Sequence, residues 1–144
     1  MPLTITLSQD VIPSNKIKGA VVQLTDSMLK WHGLTGNSVM TPNVTANVHI
    51  VPEGLSFSGG DEFEAVWIEW KVPSFAFASS DILKGFGQDA TDIIFELARG
   101  KVSRDNIYFN VVHTVDGAWN LDGIAMSNEE LGEAIASGAK GVAS

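Results

Sequence analysis

The residue with the most chemistry to offer is Pro2, in a chain that opens MPLTITLSQD. An initiator methionine is ordinarily removed when the next side chain is small, so the expected mature chain begins with the secondary amine of Pro2 at the head of a strand. An exposed α-amino group titrates at about 7.7 to 8.0, and burial in an apolar pocket destabilises its cation and lowers that value. A desolvated proline amine is then largely neutral near physiological pH. It can act as a general base or as a nucleophile toward a carbonyl, and the ring fixes the direction of its lone pair. If Met1 stays in place, the same nitrogen is a tertiary amide with no basicity.

Other chemistries have less support. No Cys occurs, which removes disulfides, thiolate metal sites and a cysteine nucleophile together. There is no GxGxxG, P-loop, HExxH, GxSxG or EF-hand loop, and His32, His49 and His113 lack ligand-like spacing, so neither a metal nor a nucleotide cofactor is expected. His32 falls at a helix end, an ordinary structural position beside a C-terminal dipole, and His49 and His113 fall in strands. Nine Lys plus Arg against seventeen Asp plus Glu give a net charge of -8 and a pI near 4.6, which disfavours nucleic acid as a partner. The first residues form no signal-like segment and no run of about 18 apolar residues occurs, so no membrane partner and a cytoplasmic location are expected. The sequon at Asn43 to Thr45 is read as accidental for the same reason.

Several elements must position Pro2. In 144 residues, 44% hydrophobic and 18% charged, one domain with a real core is expected. Leu3, Ile5 and Leu7 alternate with Thr4 and Thr6 as a half-buried strand. From Ser14, read as the N-cap, Ile17, Ala20, Val21, Leu24, Met28 and Trp31 follow the spacing of an amphipathic helix that stops at Gly33. A loop over 33–43 leads to a second strand over 45–51. After Gly59 and Gly60 comes a strong strand over 65–72, with Val66, Ile68, Trp70 and Val72 on one face and Ala65, Trp67, Glu69 and Lys71 on the other. A second helix begins at Ser80 and is capped by Gly100, and a fourth strand spans 106–113.

The plan of strand, helix and strand therefore occurs twice, as βαβ units over about 2–51 and 64–113. Side by side they form an α/β, two-layer fold: a four-stranded mixed sheet with both helices on one face. The bare face presents Trp67, Tyr108 and Val112, which implies a homo-oligomer. Residues 114–144 hold a hairpin or edge strand around Trp119, a short helix opened by the capping-box spacing of Ser127 and Glu130, and a loose tail after Ser137.

Met-Pro opening the first strand, the two βαβ units, Val51-Pro52 followed by Ser58-Gly59-Gly60, and Ile107 to Asn110 running on to Gly117-Ala118-Trp119-Asn120 together resemble the tautomerase superfamily. Leu7 to Asp10 and Gly33 to Gly36 are similar to its cis-3-chloroacrylic acid dehalogenase branch. The likeness covers about residues 2–123. It implies a trimer with an apolar pocket around Pro2 at each subunit boundary, and a cofactor-independent tautomerase acting on a small anionic 2-oxo or enol acid. A hydratase, dehalogenase or decarboxylase, and a non-catalytic binding module, are the alternatives the superfamily offers.

Such a pocket needs a cation, and Lys71 stands near the position where dehalogenase-like members carry a carboxylate-binding arginine. The alternative is a strand-end lysine paired with Glu69. The resemblance gives Pro2 the role of base, Lys71 that of carboxylate clamp, and Asn110 or Tyr108 that of polarising the carbonyl or enol oxygen. His32 matches a branch histidine only with a register slip of one. Where the dehalogenases carry a tyrosine and a water-activating glutamate, this chain offers Asn110 and the region of Trp119 and Asn120, with no Glu between Glu96 and Glu129. Neutral Asn110, Trp119 and Asn120 suit orienting an oxygen or lining a pocket; each also has a structural reading, as a strand residue or a packed Trp.

Overall fold

The computed structural model describes residues 1–140, with the side chain of Lys140 and residues 141–144 outside the description. In chain order it contains β1 (Leu3–Ser8), α1 (Ser14–Trp31), α2 (Met40–Asn43), β2 (Ala46–Val51), β3 (Phe57–Ser58), β4 (Asp61–Glu62), β5 (Val66–Pro73), α3 (Ser80–Ala98), β6 (Ile107–Thr114), β7 (Trp119–Leu121), β8 (Ile124–Met126) and α4 (Asn128–Lys140).

The main sheet has the order β2-β1-β5-β6. β1 runs parallel to β2 and antiparallel to β5, and β5 runs parallel to β6, so the two βαβ units meet along the β1–β5 seam. Leu3, Ile5, Leu7, Val66, Ile68, Trp70 and Val72 are all buried beneath α1 and α3, through Leu24 and Met28 of the first helix and Phe86, Ala90 and Ile94 of the second. Alternation in the strands and 3.6-residue periodicity in the helices thus supply the two halves of one core. Asp89 of α3 accepts from Ser27 Oγ at 3.1 Å and from Trp31 Nε1 at 2.7 Å, which locks the helix pair. The Trp31 ring lies where any side chain on residue 85 would stand, 2.2 Å from an added Cβ, so only glycine fits at Gly85.

Several local expectations need correction. Ser14 is the first helical residue and not the cap; Pro13 holds the N-cap position and no side chain caps there. Pro13 lacks an N–H and has its φ preset, so it suits a helix start without a capping side chain. The 33–43 stretch is not all loop, because Met40–Asn43 is a helical turn. Arg99, at φ 47°, ends α3 before Gly100, while Ser79 caps its start by accepting from Ile82 N–H. The capping box is present: Glu130 N–H donates to Ser127 Oγ at 3.2 Å and Ser127 N–H to Glu130 Oε2 at 2.8 Å. The helix this opens continues through Ser137 to Lys140, so the expected loose tail is helical that far, and its remainder lies outside the described residues.

β7 and β8 form a hairpin against which α4 packs. The sheet face opposite α1 and α3 is bare. Trp67 stacks on Tyr108 there at 6.2 Å and 16°, and Val112 is exposed. Among the described residues, no helix is long and apolar enough to cross a membrane.

Candidate active site

The β1–β5 pairing of Leu3 with Trp70 puts Pro2 beside Lys71, and the Lys71 N–H donates to the Pro2 carbonyl at 3.1 Å. On the other side of Pro2, the Leu3 N–H donates to the Thr45 carbonyl at 2.8 Å, and Lys71 is paired with Val112 of β6. Thr45, Pro2, Lys71 and Val112 therefore form one row across four strands.

A cleft of about 370 Å³ opens at this end of the sheet. Met1, Pro2 and Lys71 form its floor, Asn43 and Thr45 one wall, and Thr114, Ala118, Trp119 and Asn120 the other. Trp119 is half-buried and packs against the core, so its ring is held in place rather than free to rotate. Lys71 is the one charged side chain of the lining. Its Nζ lies 4.0 Å from Glu69 Oε1 with both side chains about half exposed, a weak pair that leaves the ammonium available to another anion.

The Met1 α-amino group donates to the Asn43 carbonyl, and burial lowers its pKa from 8.0 to about 6. This cleft edge thus disfavours a protonated amine by desolvation, the effect that a proline base needs.

Four of the residues singled out in the sequence, Pro2, Lys71, Trp119 and Asn120, converge on this cleft. The other three do not. Tyr108 points from the bare sheet face, stacked on Trp67. Asn110 stands opposite Glu69, one pleat away from the Pro2 row and outside the cleft lining. His32 is the C-cap of α1: its Nδ1 donates to the Met28 carbonyl at 2.8 Å and its Nε2 accepts the Phe77 N–H at 3.0 Å. Both ring nitrogens are used, so nothing remains to bind a substrate. Asn43, Thr45 and Thr114 were missed because their place depends on strand order and register, which no local pattern states.

The His32 geometry has a measurable consequence. Burial lowers its pKa, against a smaller raising effect of the Met28 carbonyl. Protonation would put a hydrogen on Nε2 facing the Phe77 N–H, and Phe77 is buried at a left-handed φ of 51° that needs its anchor. The unfolded chain takes up that proton below about 6.5 while the folded one resists, so this contribution to stability is full above about 6.5 and is lost as pH falls below it. Urea titrations at stepped pH should show a shallower acid loss in His32→Gln, whose amide can both donate and accept, than in the parent.

A second groove, of about 250 Å³, lies between α1 and α3. It is lined by Asp26, Asp89, Asp92 and Glu96 with Lys30, and Asp89 is already bonded to Ser27 and Trp31, so it would repel an anion. Among the described residues, no group of three or more His, Asp or Glu is placed to hold a metal ion.

No protein-family model matches the chain, and no curated protein sequence does. Solved structures match closely in shape. A protein crystallised after inactivation by 2-oxo-3-pentynoate superposes with a TM-score of 0.74 at 11% identity, over 92% of this chain and 99% of that one. A member of the cis-3-chloroacrylic acid dehalogenase family gives 0.70 at 12%, over 92% and 90%. A fused 4-OT symmetric trimer gives 0.74 at 8%, over 92% and 99%. At such identities the likeness is one of architecture, and the chain has the tautomerase-superfamily fold.

Proposed function

We propose that the chain is a cofactor-independent tautomerase that moves a proton within a small anionic 2-oxo or enol acid. The observation that carries this reading is the juxtaposition of Pro2 and Lys71 across the β1–β5 seam, in a cleft whose other side chains are uncharged. With Met1 removed, the neutral Pro2 nitrogen takes the proton from the enol hydroxyl and returns it to the neighbouring carbon. In the reverse direction it takes the proton from that carbon and returns it to the oxygen. Lys71 holds the carboxylate, the Asn120 amide orients the oxygen, and Trp119 shields one side from water. The substrate's own carbonyl stabilises the developing enolate, so the step calls for no cofactor.

The uncovered sheet face, with its Trp67–Tyr108 stack, and the trimeric state of the 4-OT neighbour support a homotrimer. A hydratase or dehalogenase would need a group to activate water, and the cleft lining contains no carboxylate.

The test is conversion of phenylenolpyruvate by protein whose intact mass proves the loss of Met1, beside Pro2→Ala processed likewise. A rate clearly lowered in the variant supports the reading. Equal rates, or none from correctly processed protein, sink it in favour of a binding module. In the same assay Lys71→Met should lower kcat/KM about 10- to 100-fold, the worth of one hydrogen bond to a charged group, and mainly through KM. Lys71→Arg should keep most of the activity.

A further inference from the structure

We propose that the cleft selects monoanions: its substrate carries one carboxylate and an uncharged tail, and a second carboxylate is excluded. The inference rests on the acid-binding reading above and adds the charge of the ligand. It follows from where the cations are.

Lys71 is the single charged side chain of the lining, and Glu69, whose Oε1 lies 4.0 Å from Lys71 Nζ, is repulsive to an anion. The groups left to receive the far end of a ligand are Asn43, Thr45, Thr114, Ala118, Trp119 and Asn120, all neutral. A second carboxylate seated among them gives up its water without gaining a counter-ion, whereas a methyl or aryl group there gains the apolar surface of Trp119.

Oligomerisation through the bare sheet face does not change the count. Lys16, Lys18 and Lys30 lie on α1 and Lys84 on α3, in the helical layer. Arg99, Lys101 and Arg104 follow α3, with Lys101 Nζ donating to the Asp10 carbonyl at 3.1 Å and Arg104 paired to Asp92. Among the described Lys and Arg side chains, Lys71 is therefore the only one on a strand of the face that such a copy would meet. The net charge of -8 adds a long-range preference in the same direction.

The test compares two ligands that differ only at the far end. 2-Oxohexanoate ends in a methyl group and 2-oxoadipate in a carboxylate. Binding to protein free of Met1 is read by calorimetry at fixed ionic strength, independently of turnover. The expected result is at least 10-fold tighter binding of 2-oxohexanoate in the parent protein, with Thr114→Lys, which puts a second cation in the lining, narrowing or reversing that ratio. Equal or tighter binding of 2-oxoadipate to the parent protein overturns monoanion selection and leaves the acid-binding site standing. Binding of neither ligand, together with a Pro2→Ala variant as active as its parent, overturns the acid-binding reading and this inference with it.

Discussion

Protein freed of Met1 should turn over phenylenolpyruvate about 10²- to 10⁴-fold faster than the same chain kept behind an uncleavable N-terminal extension. The range is the usual worth of one positioned general base. Two effects act together in the extended protein. The Pro2 nitrogen is then an amide, whose lone pair is delocalised into the carbonyl and takes no proton at any physiological pH. Met1, only 4% exposed, also lines the cleft and narrows the approach to Pro2. Pro2→Ala should fall between the two, because it keeps a primary amine in the same place but loses the ring that aims it.

The pH profile separates a base from a mere gate. Burial at this edge holds the Met1 amine near 6 instead of 8.0, so an amine placed there is mostly neutral at pH 7. If Pro2 inherits that desolvation, the rate of the processed enzyme should be flat above neutrality and fall as pH drops through the lowered pKa, where the amine takes up a proton and stops accepting one. A rate with no acid limb would remove Pro2 from the role of base even if the extension abolished activity.

Much of this arrangement was readable from local pattern. The alternation of Leu3, Ile5 and Leu7, and of Val66 through Val72, gives the two central strands and tells which side of each faces the helices. That Lys71 projects from the side opposite Trp70 follows from the period of two alone. The neighbourhood of Lys71 and Pro2 does not, because it depends on β1 and β5 being adjacent and antiparallel, a fact of topology that no local pattern states.

His32 went astray for a related reason. A histidine at a helix end beside a glycine is compatible with a ligand and with a cap alike, and the deciding partner, the Phe77 N–H, is 45 residues away in the chain. Asn110 and Tyr108 lie on the strand the sequence identified, but one and two pleats from the row that matters. The 33–43 stretch was opaque because its organising residue is a single asparagine. By type, Asn37 looks like any turn residue.

That asparagine carries the second large effect. Asn37→Ala should lower the unfolding free energy by about 3 kcal/mol, although it removes only a small polar side chain. Asn37 is 3% exposed. Its Oδ1 accepts from the Val39 and Met40 N–H groups at 3.0 and 2.9 Å, which starts the α2 turn, and its Nδ2 donates to the Ile135 carbonyl of α4 at 2.8 Å. Alanine leaves those three backbone groups without their partner, at about 1 to 3 kcal/mol for each that water does not reach. A loss below about 1 kcal/mol in urea unfolding would mean that solvent takes over all three.

The same contact explains why residue 138 is glycine. A Cβ there would stand 2.4 Å from Asn37 Oδ1 and 2.8 Å from Val39 N, so Gly138→Ala must push α4 away from the turn. Part of that clash disappears when Asn37 is already alanine, and the two substitutions should cost less together than the sum of each alone. Because α2 ends at Asn43, which lines the cleft and whose carbonyl receives the chain's amine, the cycle should also be read in kcat/KM. Coupling in stability without coupling in activity would mean that α4 braces the fold alone. Coupling in both would make the C-terminal helix part of what holds the Pro2 cleft in shape.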